Sequence, residues 1–290
     1  MARSEPSAVS AWDTVRPLSE LEFDQIRKLA HRVFGLDLKP GKQELVSSRL
    51  GRLVRQGGFR GFDDYYRSIV ADRTGESLAE MIDALTTNHT AFIREADHFE
   101  FLRREVVPRL STRPLIDVWS AACSTGEEVW SLAGTLYEAL GPRRSLIIGT
   151  DISTRALEFA DRAVYPTDRC AGIPASWRGK FFEPVDAEPS AYRVTAALRA
   201  QATFRRVNLV EPIPWVRQFP VIFCRNVMIY FDAATQEKVV RELSQRLEPE
   251  GYLFVGHAES LSRIPHTLEY VRPAVYRKAG KLRPRWNKSS

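Results

Sequence analysis

Cysteine is scarce in these 290 residues: Cys123, Cys170 and Cys224 form an odd and scattered set. Three thiols so spaced exclude a disulfide framework, show no zinc-ligand spacing, and suit a reducing compartment. Long apolar runs are missing, so nothing reaches the roughly 20 residues a membrane helix needs. Residues 1–15 hold no apolar signal-peptide core and read as a disordered tail. No Gly-x-Gly-x-x-Gly occurs, which argues against a pyrophosphate cradled on bare backbone N–H groups. What is present is the composition of a soluble globular protein, 44% hydrophobic and 27% charged, with a formal net charge of +6. The length has room for one large domain or two modest ones. A basic balance suits nucleic acid, an anionic membrane surface or an acidic protein partner, and does not choose among them.

Pro114–Asp151 organises the rest. Leu115–Trp119 predicts a short strand by its branched and aromatic residues. Ser120–Gly126 is a turn of small residues. Val129, Leu132, Ala133, Leu136 and Leu140 recur at helical spacing until Gly141-Pro142, and Leu146–Gly149 predicts a second buried strand leading to Asp151. In such a unit the turn admits a ligand close to the backbone, and the acid can accept hydrogen bonds from ribose hydroxyls. Glu127 and Glu128 follow the turn; they would repel a pyrophosphate and attract a cation. A ribose-bearing cation such as S-adenosylmethionine fits. Taken alone, the stretch fits equally well an ordinary crossover whose acids sit at a helix N-terminus for the macrodipole.

Upstream, Ser19-Glu20-Leu21-Glu22 is a capping-box pattern opening a helix with Phe23, Ile26, Ala30, Val33 and Phe34 on one face. Further helices are expected over Lys42–Gln56, Phe62–Val70, Glu76–Asn88 and Asp97–Val107, the last stopped by Pro108. The expected domains are a helical one over residues 16–90 and an α/β one over residues 91–280, with a basic tail at 281–290. On the second helix Arg49, Arg52 and Arg55 step by three and form a contiguous strip. Such charges are ordinarily a solvated face. Unpaired guanidiniums also suit an acidic helix or a phosphate backbone, although the aromatic interleaving of single-strand binders is missing.

Downstream, Ser153 predicts the cap of a helix to Ala163, and Asp232 the cap of a helix over Ala233–Leu247. Tyr192–Thr195 and Ala202–Arg205 read as a small antiparallel hairpin, an insertion near residues 190–206. Val221–Cys224 and Tyr252–Val255 are buried strands, and Leu268–Val271 with Val275–Arg277 a closing antiparallel pair. Strands alternating with helices predict a doubly wound, Rossmann-like sheet, with its ligand beyond the carboxyl ends of the strands.

Four collinear blocks resemble the CheR-type chemotaxis receptor methyltransferases: Asn88–Glu95, Trp119–Glu128, Phe223–Asp232 and Gly251–Leu261. The similarity runs from about residue 18 to 278. Ile93 stands where a second Phe is usual, Val129 for Pro and Ala258 for Ser. The resemblance implies a cytoplasmic enzyme that esterifies glutamate side chains on the cytoplasmic helices of membrane chemoreceptors, using S-adenosylmethionine. It implies that Asn88, Thr90, Arg94, one or both of Glu127 and Glu128, Asp151, Asn208, Leu209, Arg225 and Asn226 line the cofactor. Arg94 would hold either the substrate carboxylate or the cofactor's own, and Tyr230 is a second orienting candidate beside the reading of a satisfied buried tyrosine. Arg49, Arg52 and Arg55 would read the acidic receptor helix, and a receptor tail peptide at the β insertion is left open. His257 and Cys123 read as packing and turn residues, and no metal is expected. Two alternatives stay beside this: an inactive methyltransferase-like scaffold, against which every polar cofactor position is filled, and a nucleic-acid methyltransferase, for which the Asn/Asp-Pro-Pro-Tyr type of motif is missing.

Overall fold

In the computed structural model of the protein, residues 16–86, 90–185 and 188–280 are described. The expected tails, 1–15 and 281–290, and Asn88 lie outside them. Helix α1 (Glu20–Phe34) starts on the predicted capping box: Ser19 Oγ accepts from the Glu22 N–H at 3.3 Å, and the Glu22 carboxylate accepts from the Ser19 N–H at 3.0 Å. Gly35, at φ 70°, ends it because the left-handed turn there suits a residue without Cβ. Helices α2 (Gln43–Gln56), α3 (Phe62–Ala71) and α4 (Glu76–Leu85) complete the first of two units, whose boundary falls between residues 87 and 88. Ile26, Val46, Leu50, Val54, Phe62 and Met81 are its sealed core, each contributing roughly 1.5–3 kcal/mol by burial.

One arginine of the expected strip does something else. Arg49 donates to the carbonyl of Leu85 and so closes the C-terminus of α4, a helix end that otherwise leaves carbonyls unpaired. Arg52 and Arg55 remain exposed on α2.

The second unit opens with α5 (Ala96–Phe101), a π-helical turn over Leu102–Val106, and α6 (Val107–Leu110). The helix therefore passes Pro108 instead of stopping before it. The widened turn restarts the ladder, and a proline at the beginning of the new α-turn needs no N–H partner. Strand β1 (Ile116–Ser120), helix α7 (Glu127–Leu140), strand β2 (Ser145–Asp151) and helix α8 (Thr154–Arg162) follow. After them come β3 (Val164–Pro166), β4 (Phe182–Val185), β5 (Glu188–Val194), the short α9 (Ala196–Arg199), β6 (Ala202–Arg206) and β7 (Phe219–Cys224). Helix α10 (Ala233–Arg246), β8 (Leu247–Val255), β9 (Leu268–Arg272) and β10 (Val275–Lys278) close the chain. The main sheet runs β6-β2-β1-β7-β8-β10-β9, parallel through β8 and antiparallel in the last pair.

Its central strands β7 and β1 are largely apolar, Asp117 and Ser120 of β1 apart, because both faces are covered. Val118, Val221 and Phe223 face a core with Trp130, Leu132 and Leu136 of α7. Their neighbours Trp119, Ile222 and Cys224 face the other, with Val239, Val240 and Leu243 of α10. Asp232 caps α10, accepting from the Thr235 N–H at 2.7 Å.

The expected hairpin partnership is corrected. Ala202–Arg206 is the edge of the main sheet, parallel to β2, with Ile147 facing Ala202 and Asp151 facing Arg206. The small antiparallel sheet is β3-β5-β4 instead. Helix α9 stands between β5 and β6 and carries the chain from one sheet to the other, a redirection that local alternation does not encode.

Candidate functional site

The carboxyl ends of β1, β2, β7 and β8 converge. After β1 the small-residue turn bends through Ser124 at φ 48° and Gly126 at φ 92°. A Cβ on Gly126 would stand 2.7 Å from Ala160 Cβ and 2.9 Å from the Tyr165 hydroxyl, so the residue lets α7 seat closely against α8. Asp151, at the end of β2, holds this turn. One of its carboxylate oxygens accepts from the Ser124 N–H at 2.8 Å and the other from the Ser153 N–H at 3.0 Å. Val207, just past β6, donates its N–H to the Asp151 carbonyl. That contact brings Asn208 and the buried Leu209 to the same strand end.

The two consecutive glutamates part company. Glu127 is fully buried; Thr125 donates to it at 2.7 Å and Arg169 forms its ion pair. Burial pushes its carboxyl up, against Thr125 and Arg169. Glu128 turns toward the strand ends, accepting from Ser120 Oγ at 2.7 Å and Arg225 Nη1 at 3.0 Å.

Arg225, immediately after β7, is the hub, and its side chain is 2% exposed. It pairs with Glu95 at 2.9 Å and Glu128 at 3.0 Å, and donates to the Arg94 carbonyl at 2.5 Å. Its guanidinium lies over the rings of Phe99 and Phe223. Ile93 and Glu95, at φ 53° and 59°, frame Arg94 in a doubly left-handed turn, a conformation costly for a β-branched residue. Ser131 Oγ accepts from the Ile93 N–H at 2.9 Å, and Arg225 holds the Glu95 side. Burial raises the Glu95 carboxyl, but the Arg225 charge and donors from Arg225, Asn226 and the His257 N–H outweigh it, and the net shift is downward. Glu128 shares Arg225 but has fewer donors, and burial leaves it above the usual carboxylate range. Thr90 and Tyr230 are half-buried, Tyr230 on the 3₁₀ turn Met228–Tyr230. Cys123 is buried in the β1 turn, its thiol pushed up by burial.

Sequence reasoning gave no role to Glu95, His98, Arg169 or Glu259, although Glu95 and Glu259 lie inside recognised blocks. A carboxylate bound for burial beside apolar strand residues is the signal that could have found them. Glu95, His98 and His257 bring their ligand atoms within 4.8 Å of one another. Glu95 already commits Oε2 to Arg225 and the His257 N–H, and Oε1 to Asn226. A dication there would face a guanidinium, so Glu95 serves as the shared acceptor of Arg225, Asn226 and the His257 N–H.

His98 is fully buried, and burial, then the Arg225 charge, push its imidazole down to about 4. The unfolded chain takes up that proton near pH 6.5. Stability from keeping His98 neutral is therefore complete above pH 6.5 and lost as pH falls toward 4, by up to about 3 kcal/mol. Urea unfolding at pH 7 and pH 4.5 should show this loss in the wild type and a smaller one in His98→Phe. Equal losses would remove His98 from the account.

A doubly wound parallel sheet closed by an antiparallel pair, with a small-residue turn after its first strand and an acid ending its second, can seat a ribose-bearing cofactor beyond its strand ends, and similarity to known proteins makes the class an S-adenosylmethionine-dependent methyltransferase. Residues 88–276 match the family described as "CheR methyltransferase, SAM binding domain", and residues 21–86 match "CheR methyltransferase, all-alpha domain". This chain belongs to the CheR methyltransferase family. It is 35% identical to the chemotaxis protein methyltransferase of Borreliella burgdorferi, covering 89% of this chain and 94% of that one. It is 38% identical to chemotaxis protein methyltransferase 2 of Pseudomonas aeruginosa (88% and 92% covered) and 37% identical to the chemotaxis protein methyltransferase of Klebsiella aerogenes (95% of both). The donor set suits the family's cofactor. The Asp151 carboxylate ends β2 beside a turn without the Gly-x-Gly-x-x-Gly a pyrophosphate would need, and is held by two backbone N–H groups where ribose hydroxyls could donate to it.

Proposed function

We propose that this chain methylates glutamate side chains on the cytoplasmic helices of chemoreceptors, working in the cytoplasm to adapt their signalling. The observation that carries the reading is the match to both CheR domains, with relatives named chemotaxis protein methyltransferases along nearly the whole chain. S-adenosylmethionine supplies an electrophilic methyl group on a sulfonium. A glutamate carboxylate is already a competent nucleophile at neutral pH, so the residues here have to position it and keep it ionised; a strong general base is unnecessary. In this assignment Asp151 takes the ribose, and Asn88, Thr90, Glu128, Asn208, Leu209 and Asn226 line the cofactor. Glu127, sealed under Arg169, supports the turn from behind. Arg94 orients a carboxylate, with Tyr230 as second orienting group. Arg225 fixes Arg94 and Glu128 from below, because its side chain is buried among partners.

The all-α unit reads the receptor through the exposed Arg52 and Arg55, and the small β3-β5-β4 sheet is the candidate seat of a receptor tail peptide by strand addition. Labelled cofactor should transfer its methyl to receptor-enriched membranes as an ester that mild alkali releases, and not to DNA or RNA. Arg52→Glu should cut receptor methylation at least about tenfold by setting like charges face to face, with affinity for S-adenosylhomocysteine unchanged. The wild-type rate should fall between roughly 0.05 and 0.5 M salt, as exposed charges are screened. Alkali-stable label, or label in nucleic acid, would overturn the substrate. Normal methylation by the reversed variant would return these arginines to a solvated face.

A further inference from the structure

The segment after β7 has an unusual support. Glu259 is 6% exposed and lies in the loop after β8. One of its carboxylate oxygens accepts from the N–H groups of Asn226 at 2.8 Å and Gly256 at 2.6 Å. The other accepts from Met228 at 2.7 Å and Ile229 at 3.3 Å. Four backbone donors from the ends of two adjacent strands thus close on a single carboxylate; burial still holds its carboxyl above the usual range, and the four donors work against that shift. Asn226 sits at φ 58°, a left-handed position the nest holds in place. Gly256 completes the fit: a Cβ there would lie 2.4 Å from Asn226 Nδ2 and 2.9 Å from Glu259 Oε2.

We infer that Glu259 is a positioning residue for methyl transfer: its carboxylate sets the Arg225–Tyr230 turn before the cofactor arrives. Glu259 acts through Asn226, which the cofactor assignment above places on the ligand, and through the turn that carries Tyr230. The inference rests on that assignment. It also explains the residue type. Each oxygen faces two donors, so an isosteric glutamine would turn its own NH₂ toward two N–H groups and break half the nest, and an aspartate would fall short of it.

Glu259→Gln is the test. Calorimetry should show S-adenosylhomocysteine bound at least about tenfold more weakly, and the KM for S-adenosylmethionine should rise while the KM for receptor stays put. A variant that lost only global stability would lower the active fraction and leave both KM values unchanged. Gly256→Ala, which crowds the nest without removing the carboxylate, should reproduce the split. If Glu259→Gln fails to fold, hydrogen exchange on the wild type decides. The amides of Asn226, Met228, Ile229 and Gly256 should exchange as slowly as those of β7 in the ligand-free protein. Variant affinity within about twofold of wild type, or loop-like exchange at those amides, would overturn the inference. Cofactor binding is measured without receptor, so a wrong substrate would leave this result standing.

Discussion

Asp151→Ala should reduce affinity for S-adenosylhomocysteine by more than about a hundredfold in calorimetry. The carboxylate ends β2, where it accepts from the Ser124 and Ser153 N–H groups. Those two contacts orient both oxygens, and a ribose diol arriving there would add two further charge-assisted bonds of roughly 1.5–3 kcal/mol each. A tenfold loss corresponds to about 1.4 kcal/mol, so losing both bonds exceeds a hundredfold. Part of the loss could arise from a loosened turn, because Ser124 would lose its acceptor. An analogue of S-adenosylhomocysteine without the ribose hydroxyls separates the two effects: it should bind wild type and variant almost alike if the diol is the partner. Undiminished affinity in the variant would sink the ribose assignment. A dideoxy analogue as sensitive as the parent ligand would reassign Asp151 to shaping the turn.

Arg225→Met should be the most destabilising single change at the site, by about 3–5 kcal/mol at pH 7. The guanidinium is the shared partner of Glu95 and Glu128; methionine fills similar space and leaves two buried carboxylates facing each other. In the wild type Glu95 is held low, so its contribution is present above the ordinary carboxylate pKa and fades as pH falls through its folded value. In the variant the sign reverses. Both acids then titrate above their unfolded values, the native state binds more protons, and stability should rise as pH drops from 7 toward 5. Adding Glu95→Gln and Glu128→Gln should recover much of the loss, since amides tolerate burial without a cation. Urea midpoints for the three proteins at two pH values test this. An Arg225→Met protein within about 1 kcal/mol of wild type at pH 7 would show that the hub is dispensable.

The sequence carried the architecture because its signals are local. Ser19, Ser153 and Asp232 announced their helices by cap chemistry, and the two-sided burial of β7 appeared as an unbroken apolar run. Asp151 and Arg225–Asn226 were placed at strand ends by topology alone. What stayed hidden depends on partners remote in sequence. The strip Arg49–Arg52–Arg55 looked uniform, and the bond to the carbonyl of Leu85 sets Arg49 apart. Glu127 and Glu128 are adjacent and alike as letters, yet one helix step sends the first to Arg169 and the second to Arg225. Strand β6 looked like a hairpin partner because its pairing with β2 is set by a crossover.

The order of the strands also governs when the site can exist. Val118 of β1 pairs with Val221 of β7, and Phe223 of β7 with Phe254 of β8, so the centre of the sheet stays open until the last quarter of the chain is available. Asp151 and Glu128 emerge from the ribosome long before the guanidinium that joins Glu128 to Glu95, and the carboxylate that gathers the turn after it comes later still. At about 5–20 residues per second, the nascent protein spends several seconds with Glu128 lacking its guanidinium and the apolar faces of β1 and β2 uncovered. Premature release or stalling before residue 259 would leave a fragment with the small-residue turn and its helix but without a methyl-donor pocket, and with an unfilled strand position for aggregation to use.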